Sequence, residues 1–137
     1  RISLTLIIDQ MYHLVVTTMF ILSSLFGCQQ PKNYTTLPTN EFESLIKEES
    51  VQRLDVSTPL EFSEGHIAKS ININVLDGSF QAIADSLLQK DVPVALYCRS
   101  GHRSKKAASI LAKQGFQVYE LAEGFNGWQR AGKSVDK

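Results

Sequence analysis

Residues 98–104 of this 137-residue chain read "CRSGHRS": a cysteine, an arginine directly after it, a second arginine at 103 and a glycine between the two. Cysteine reacts as its thiolate, and a free thiol titrates at roughly 8.5. Nearby cations and a helix amino terminus stabilise the charged form and lower that value. Here Arg99 and Arg103 bracket the loop, and a helix-like run, "KKAASILAKQG", follows from Lys105. Gly101 permits a tight turn in which backbone N–H groups converge on one point and make a nest for an anion. The pattern is that of a nucleophile, Cys98, in an anion cradle built from Arg99, Ser100, Gly101, His102, Arg103 and Ser104. The competing reading is a buried thiol at a strand end. His102 is placed either to act as a base or to stand solvated against a substrate, and Ser104 to cap the helix. Lys105 and Lys106 read as an exposed helix face. No metal or other cofactor is expected, because zinc wants about four ligands and no second cysteine lies near Cys98.

Such a loop needs a strand before it and a helix after it. Residues 92–97, "VPVALY", form an almost continuous apolar run, the pattern of a strand buried on both faces. Residues 51–56, 71–75 and 117–121 read as further strands. Between them, apolar spacing predicts helices over 39–49, 80–88, 104–114 and 125–131, the last carrying Trp128. Asn40 with Glu43 fits a capping box, and Gly115 a helix-ending glycine. Thr58, Pro59 and Glu61 give a second box, with Thr58 as N-cap and proline at the first helical position. Strands alternating with helices predict an α/β layered domain with a mostly parallel sheet of about five strands. In such sheets ligands sit beyond the carboxyl ends of the strands, where Cys98 falls.

Lys plus Arg and Asp plus Glu are equal at 14 each, which gives no argument for a nucleic-acid partner. The two cysteines do not make a disulfide framework. Residues 14–26 are apolar, Thr or Ser, about the length of a signal-peptide core and short for a membrane span. That run ends in "LFGC", residues 25–28, which resembles the lipobox of bacterial lipoproteins. The resemblance implies lipidation of Cys28. The organisation expected is a signal peptide over 1–27 with its true start at Met11, a lipid-anchored polar tether over 28–38, and a folded domain over 39–137. The expected location is the periplasmic side of a bacterial cell envelope, held to the membrane by lipid; the alternative is an N-terminal membrane helix.

From residue 41 to 131 the chain resembles the single-domain rhodanese (thiosulfate sulfurtransferase) family. The residues that carry the resemblance are "LDVSTPLEFSEGHIAKSININV" (54–75), "ALYCRSGHRS" (95–104) and "LAEGFNGWQRAG" (121–132), in that order. The resemblance implies a rhodanese-like fold and a persulfide on Cys98. It implies a small sulfur-containing anion such as thiosulfate as donor, and a thiol, cyanide-like molecule or partner protein as acceptor. Arg99 and Arg103 would bind the donor's oxyanion, and Asp55 and His66 would organise the fold. A non-catalytic carrier of sulfane sulfur is the alternative. Cysteine-dependent phosphatases place arginine six positions after the cysteine, where this chain has Ser104, so phosphatase or arsenate reductase chemistry is disfavoured. Two positions depart from the family pattern. Ser57 stands where arginine is expected, so an ion pair to Glu61 should be missing; Glu123 replaces a glycine and should shift its loop.

Overall fold

The computed structural model describes residues 3–25 and 32–137, in two units divided after Pro31. In the first, Leu4–Leu25 form one helix, α1. Among the described residues no helix is long and apolar enough to cross a membrane. Cys28 lies outside the described residues.

The second unit runs β1 (Thr35–Leu37), α2 (Thr39–Ile46), β2 (Gln52–Asp55), α3 (Pro59–Glu64), β3 (Ile71–Asn72), α4 (Phe80–Leu87), β4 (Val94–Tyr97), α5 (His102–Lys113), β5 (Val118–Leu121) and α6 (Gly124–Arg130). The five strands make one sheet in the order β1-β5-β4-β2-β3, and every pair is parallel. The α/β expectation holds. The sheet starts earlier than the expected domain boundary, because Thr35–Leu37 pair with Tyr119–Leu121 instead of forming tether. β3 is shorter than the expected 71–75, yet the N–H groups of Ile73 and Val75 still reach the carbonyls of Asp55 and Val56, at 3.1 and 3.0 Å.

β4 is central and wholly buried, and its side chains alternate between two cores, as a strand's period of two requires. Val94, Leu96 and Cys98 pack with Ala107, Ala108 and Leu111 of α5 and Phe80 and Ala84 of α4. Ala95 and Tyr97 pack on the opposite face with Phe42 and Ile46 of α2 and Phe125 and Trp128 of α6. There Phe42 meets Tyr97 and Trp128 edge-on, each with ring centroids 6.4 Å apart. The Trp128 indole N–H donates to the Ser134 carbonyl at 2.8 Å. With both faces covered, the strand has one direction in which to present chemistry: its carboxyl end.

Local signals succeeded unevenly at helix starts. α3 opens as expected, with Thr58 accepting from the Glu61 N–H and the Glu61 carboxylate accepting from the Thr58 N–H. α2 does not use the expected Asn40–Glu43 box. It begins at Thr39 behind Pro38, with no side-chain cap, so Asn40 already lies in the first turn and its carbonyl accepts from Ser44 Oγ at 3.1 Å.

Candidate active site

The carboxyl end of β4 delivers Cys98 into a loop clamped from three sides. Gly101 turns it in the left-handed region, φ 92°, and is the N-cap of α5. A side chain could not stand there, since a Cβ would fall 2.2 Å from the Ala122 carbonyl oxygen. The same turn brings the Gly101 N–H to 3.1 Å from Cys98 Sγ. From above, the amino terminus of α6 donates to the loop: Phe125 N–H to the Cys98 carbonyl at 2.8 Å and Asn126 N–H to that of Arg99 at 2.9 Å. That approach needs Gly124, φ 62°, whose Cβ would lie 2.5 Å from the Arg99 carbonyl oxygen. Lys105 Nζ closes the third side, donating to the Gly101 carbonyl at 2.8 Å.

Ser104 is not the helix cap. α5 begins two residues earlier, at His102, so Ser104 sits buried in the first turn and donates its hydroxyl to Glu120 Oε2 at 3.2 Å. Glu120 is fully buried and also accepts from Thr36 Oγ1 at 3.2 Å and Lys105 Nζ at 3.1 Å. Lys105 is therefore no simple exposed lysine; it ties the loop to β5. Neither residue stood out in the sequence, although the alternation of "QVYEL" puts Glu120 on the same side as buried Val118.

Both arginines, expected to bind the donor's oxyanion, are engaged by carboxylates of the fold. Arg99 pairs with buried Asp55, donates to Ser57 Oγ at 3.1 and 3.2 Å and to the Gly65 carbonyl at 2.9 Å, and lies 4.2 Å above the Phe125 ring. Ser57 in turn donates both its N–H and its hydroxyl to Asp55 Oδ1. Arg103 makes a two-point pair with Glu61, each N–H···O 2.9 Å. The ion pair to Glu61 expected to be missing is thus made, with the loop supplying the arginine. That bond holds Glu61 well below the ordinary carboxylate range, from 4.5 to about 2, against the opposing effect of burial and with help from Thr58. The Arg103 pKa is raised, chiefly by Glu61, against the opposing effect of burial, with the charges of Glu61, Cys98 and Asp55 adding to the rise.

Asp55 and His66 are the two residues expected to organise the fold; Asp55 is fully buried and His66 partly so. His66 stacks on Phe62 at 3.8 Å, with Nδ1 2.9 Å from the Phe62 carbonyl, and its backbone bridges Asp136. Tyr97 supports the same loop from beneath: its hydroxyl accepts from the Ile67 N–H and donates to Ser70, both at 2.9 Å. Burial, then the charge of Asp55, pushes its pKa up. Ser100 and His102 are exposed on the rim. Glu123 is exposed as well and faces Arg130 at 3.5 Å, while Gly124 keeps the turn that brings α6 to the loop.

Cys98 itself is 0% exposed, and the donor that reaches its sulfur is a backbone one, the Gly101 N–H. The first-turn N–H groups of a helix have no intrahelical acceptor, and the helix dipole adds positive potential there. A cleft of about 240 Å³ adjoins the loop, lined by Glu64, Gly65, Arg99, Phe125, Asn126 and Gln129. Another of about 300 Å³, around Gln52, Arg53 and Ile71, opens at the amino ends of β2 and β3, away from Cys98.

Known proteins share both the sequence and this architecture. The chain is 31% identical over 102 residues to thiosulfate sulfurtransferase GlpE of Shewanella oneidensis, covering 72% of this chain and 96% of that protein. It is 34% identical over 94 residues to a sulfurtransferase of Allochromatium vinosum, covering 68% and 85%. The crystal structure of a rhodanese-related protein from Thermoplasma volcanium superposes with a TM-score of 0.65 at 29% identity, covering 75% of this chain and 98% of that one. The model of the rhodanese-like domain matches residues 38–131, so the chain belongs to the rhodanese-like domain family.

Proposed function

We propose that the domain is a sulfurtransferase that carries a sulfane sulfur on Cys98 from a donor such as thiosulfate to a thiophilic acceptor. The observation that carries this reading is the Gly101 N–H aimed at Cys98 Sγ from 3.1 Å at the mouth of α5. In the first step the thiolate attacks the outer sulfur of thiosulfate. A Cys98 S–S bond forms, the donor's S–S bond breaks, and sulfite leaves with the bonding pair. The loop N–H groups stabilise the charge now on the terminal sulfur of the persulfide. Cyanide or a thiolate then attacks that sulfur, leaves as thiocyanate or a persulfide, and restores the Cys98 thiolate. Neither step moves a proton, which suits a loop whose one histidine, His102, stands exposed on the rim. The turning of Arg103 toward Glu61 supports sulfur over phosphate chemistry, because a phosphate would need that guanidinium.

Incubating the full chain with thiosulfate and cyanide should yield thiocyanate, with none from Cys98→Ser. Absence of product from both, with no sulfur gained by Cys98, contradicts the reading. A second reading, a carrier that hands its sulfur to a partner protein, is favoured by the complete burial of Cys98. Persulfidation without discharge by cyanide supports it, and brisk turnover excludes it. For the amino-terminal segment the proposal is a lipid anchor on Cys28 at the bacterial cell envelope. Cys28→Ser should then move the protein to the soluble fraction; retention in membranes points to a helical anchor instead.

A further inference from the structure

Two arginines and two carboxylates flank the Cys98 loop, and their charges cancel in pairs. The Asp55–Arg99 pair is sealed in, with Asp55 at 0% side-chain exposure and Arg99 at 15%. The Glu61–Arg103 pair is open at the rim, at 30% and 24%. Its carboxylate is held in place by the fold: Glu61 Oε2 accepts from the Thr58 N–H at 2.8 Å and from Thr58 Oγ1 at 3.0 Å. The capping box of α3 therefore sets where Glu61 stands, and Arg103 comes to it. Ser57, just beyond the end of β2, carries no charge to offer Glu61, and its hydroxyl is committed to Asp55 and Arg99. Arg103 stands in the first turn of α5, on the loop that begins at Cys98.

Resting on the sulfurtransferase reading above, we infer that Glu61 is a specificity-determining residue that neutralises Arg103 and so limits the preference of the site for doubly charged sulfane donors. With Glu61 in place the four side chains sum to zero, and a donor meets backbone N–H groups and the helix terminus. With Glu61 neutral the same site carries one net positive charge beside Cys98. Electrostatic attraction is proportional to the charge on the ligand, so a dianion gains about twice the free energy of a monoanion. The fold-change for thiosulfate should then be about the square of that for a singly charged donor. An aryl thiosulfonate is the matched probe: it carries the same sulfonyl-linked sulfane sulfur with one charge in place of two.

Glu61→Gln tests this, because glutamine retains an acceptor for the Thr58 N–H and preserves the box. The readout is the donor concentration giving half-maximal Cys98 persulfide, measured by intact mass. In Glu61→Gln that concentration should fall about fivefold for thiosulfate and about twofold for the thiosulfonate, the range of a partly exposed charge pair. Both gains should shrink in 1 M salt, where the screening length is about 3 Å. Arg103→Gln should shift both donors in the opposite sense, again more for thiosulfate. The double variant Glu61→Gln/Arg103→Gln, with charge balance restored, should return close to the parent. An equal shift for the two donors, or no shift, overturns the inference. So does a double variant as weak as Arg103→Gln, which would make Arg103 a direct ligand of the donor. Failure of the parent and every variant to form persulfide with either donor instead overturns the sulfurtransferase reading beneath it.

Discussion

Replacing Gly101 by alanine puts a methyl group where the loop has neither the backbone hand nor the room for one. The residue sits at φ 92°, and its Cβ would lie 2.2 Å from the Ala122 carbonyl oxygen, a backbone atom that cannot swing aside. The left-handed conformation costs about 1–2 kcal/mol for a residue with a Cβ. Relief of the overlap by backbone displacement adds about 1–3 kcal/mol. Gly132 separates the two, because it is also left-handed, φ 72°, with nothing within 4 Å of its Cβ position. Gly132→Ala should therefore lose only the conformational part, about 1 kcal/mol. Gly101→Ala should lose about 3 kcal/mol and, for a domain of this size, lower Tm by roughly 15 °C. Urea and thermal unfolding of the two variants against the parent give the comparison. Persulfide formation supplies a second readout, since the Gly101 N–H is the group that meets Cys98 Sγ. Its rate should drop about a hundredfold in Gly101→Ala, the scale of one lost anion-stabilising donor, and stay unchanged in Gly132→Ala. Equal losses in the two variants would refute the role given to the Ala122 contact.

Lowering the pH tests the Glu61–Arg103 pair. A carboxylate held near 2 in the folded chain against an ordinary 4.5 contributes stability above pH 4.5 that drains away between there and pH 2. Exposure at the rim limits this to about 1 kcal/mol, and Glu61→Gln should flatten that part of the stability–pH curve. Glu120→Gln loosens Lys105 and Ser104 together and should cost about 1–2 kcal/mol in urea unfolding. Asp55→Asn leaves Arg99 without its buried counter-charge, and should cost about 3 kcal/mol in thermal unfolding, far more than Glu61→Gln.

The sheet was legible because its central strand is an unbroken apolar run and its neighbours alternate with helical spacing. The reactive loop was legible because cysteine, glycine and arginine fall together directly after that run. Local chemistry also settled the start of α3, where Thr58, Pro59 and Glu61 act within one turn. What could not be read is set by distance along the chain. Arg103 finds Glu61 from 42 positions away, and Arg99 finds Asp55 from 44, so both looked like free cations facing a substrate. Lys105 looked solvated because its partner Glu120 lies on β5, 15 positions on. Ser104 carried the ordinary signature of a cap, but the left-handed turn at Gly101 starts the helix sooner and sends that hydroxyl inward. The short β1 has only three residues, too few for a period to register, and its strand neighbour, β5, lies more than 80 positions away.

If Cys98 carries the transferred sulfur, the intact mass of the chain must change on exposure to thiosulfate. The expected result is a gain of one sulfur atom, localised to Cys98, removed by cyanide with release of thiocyanate and missing from Cys98→Ser. An unchanged mass in the parent chain, or the same gain in Cys98→Ser, would contradict it.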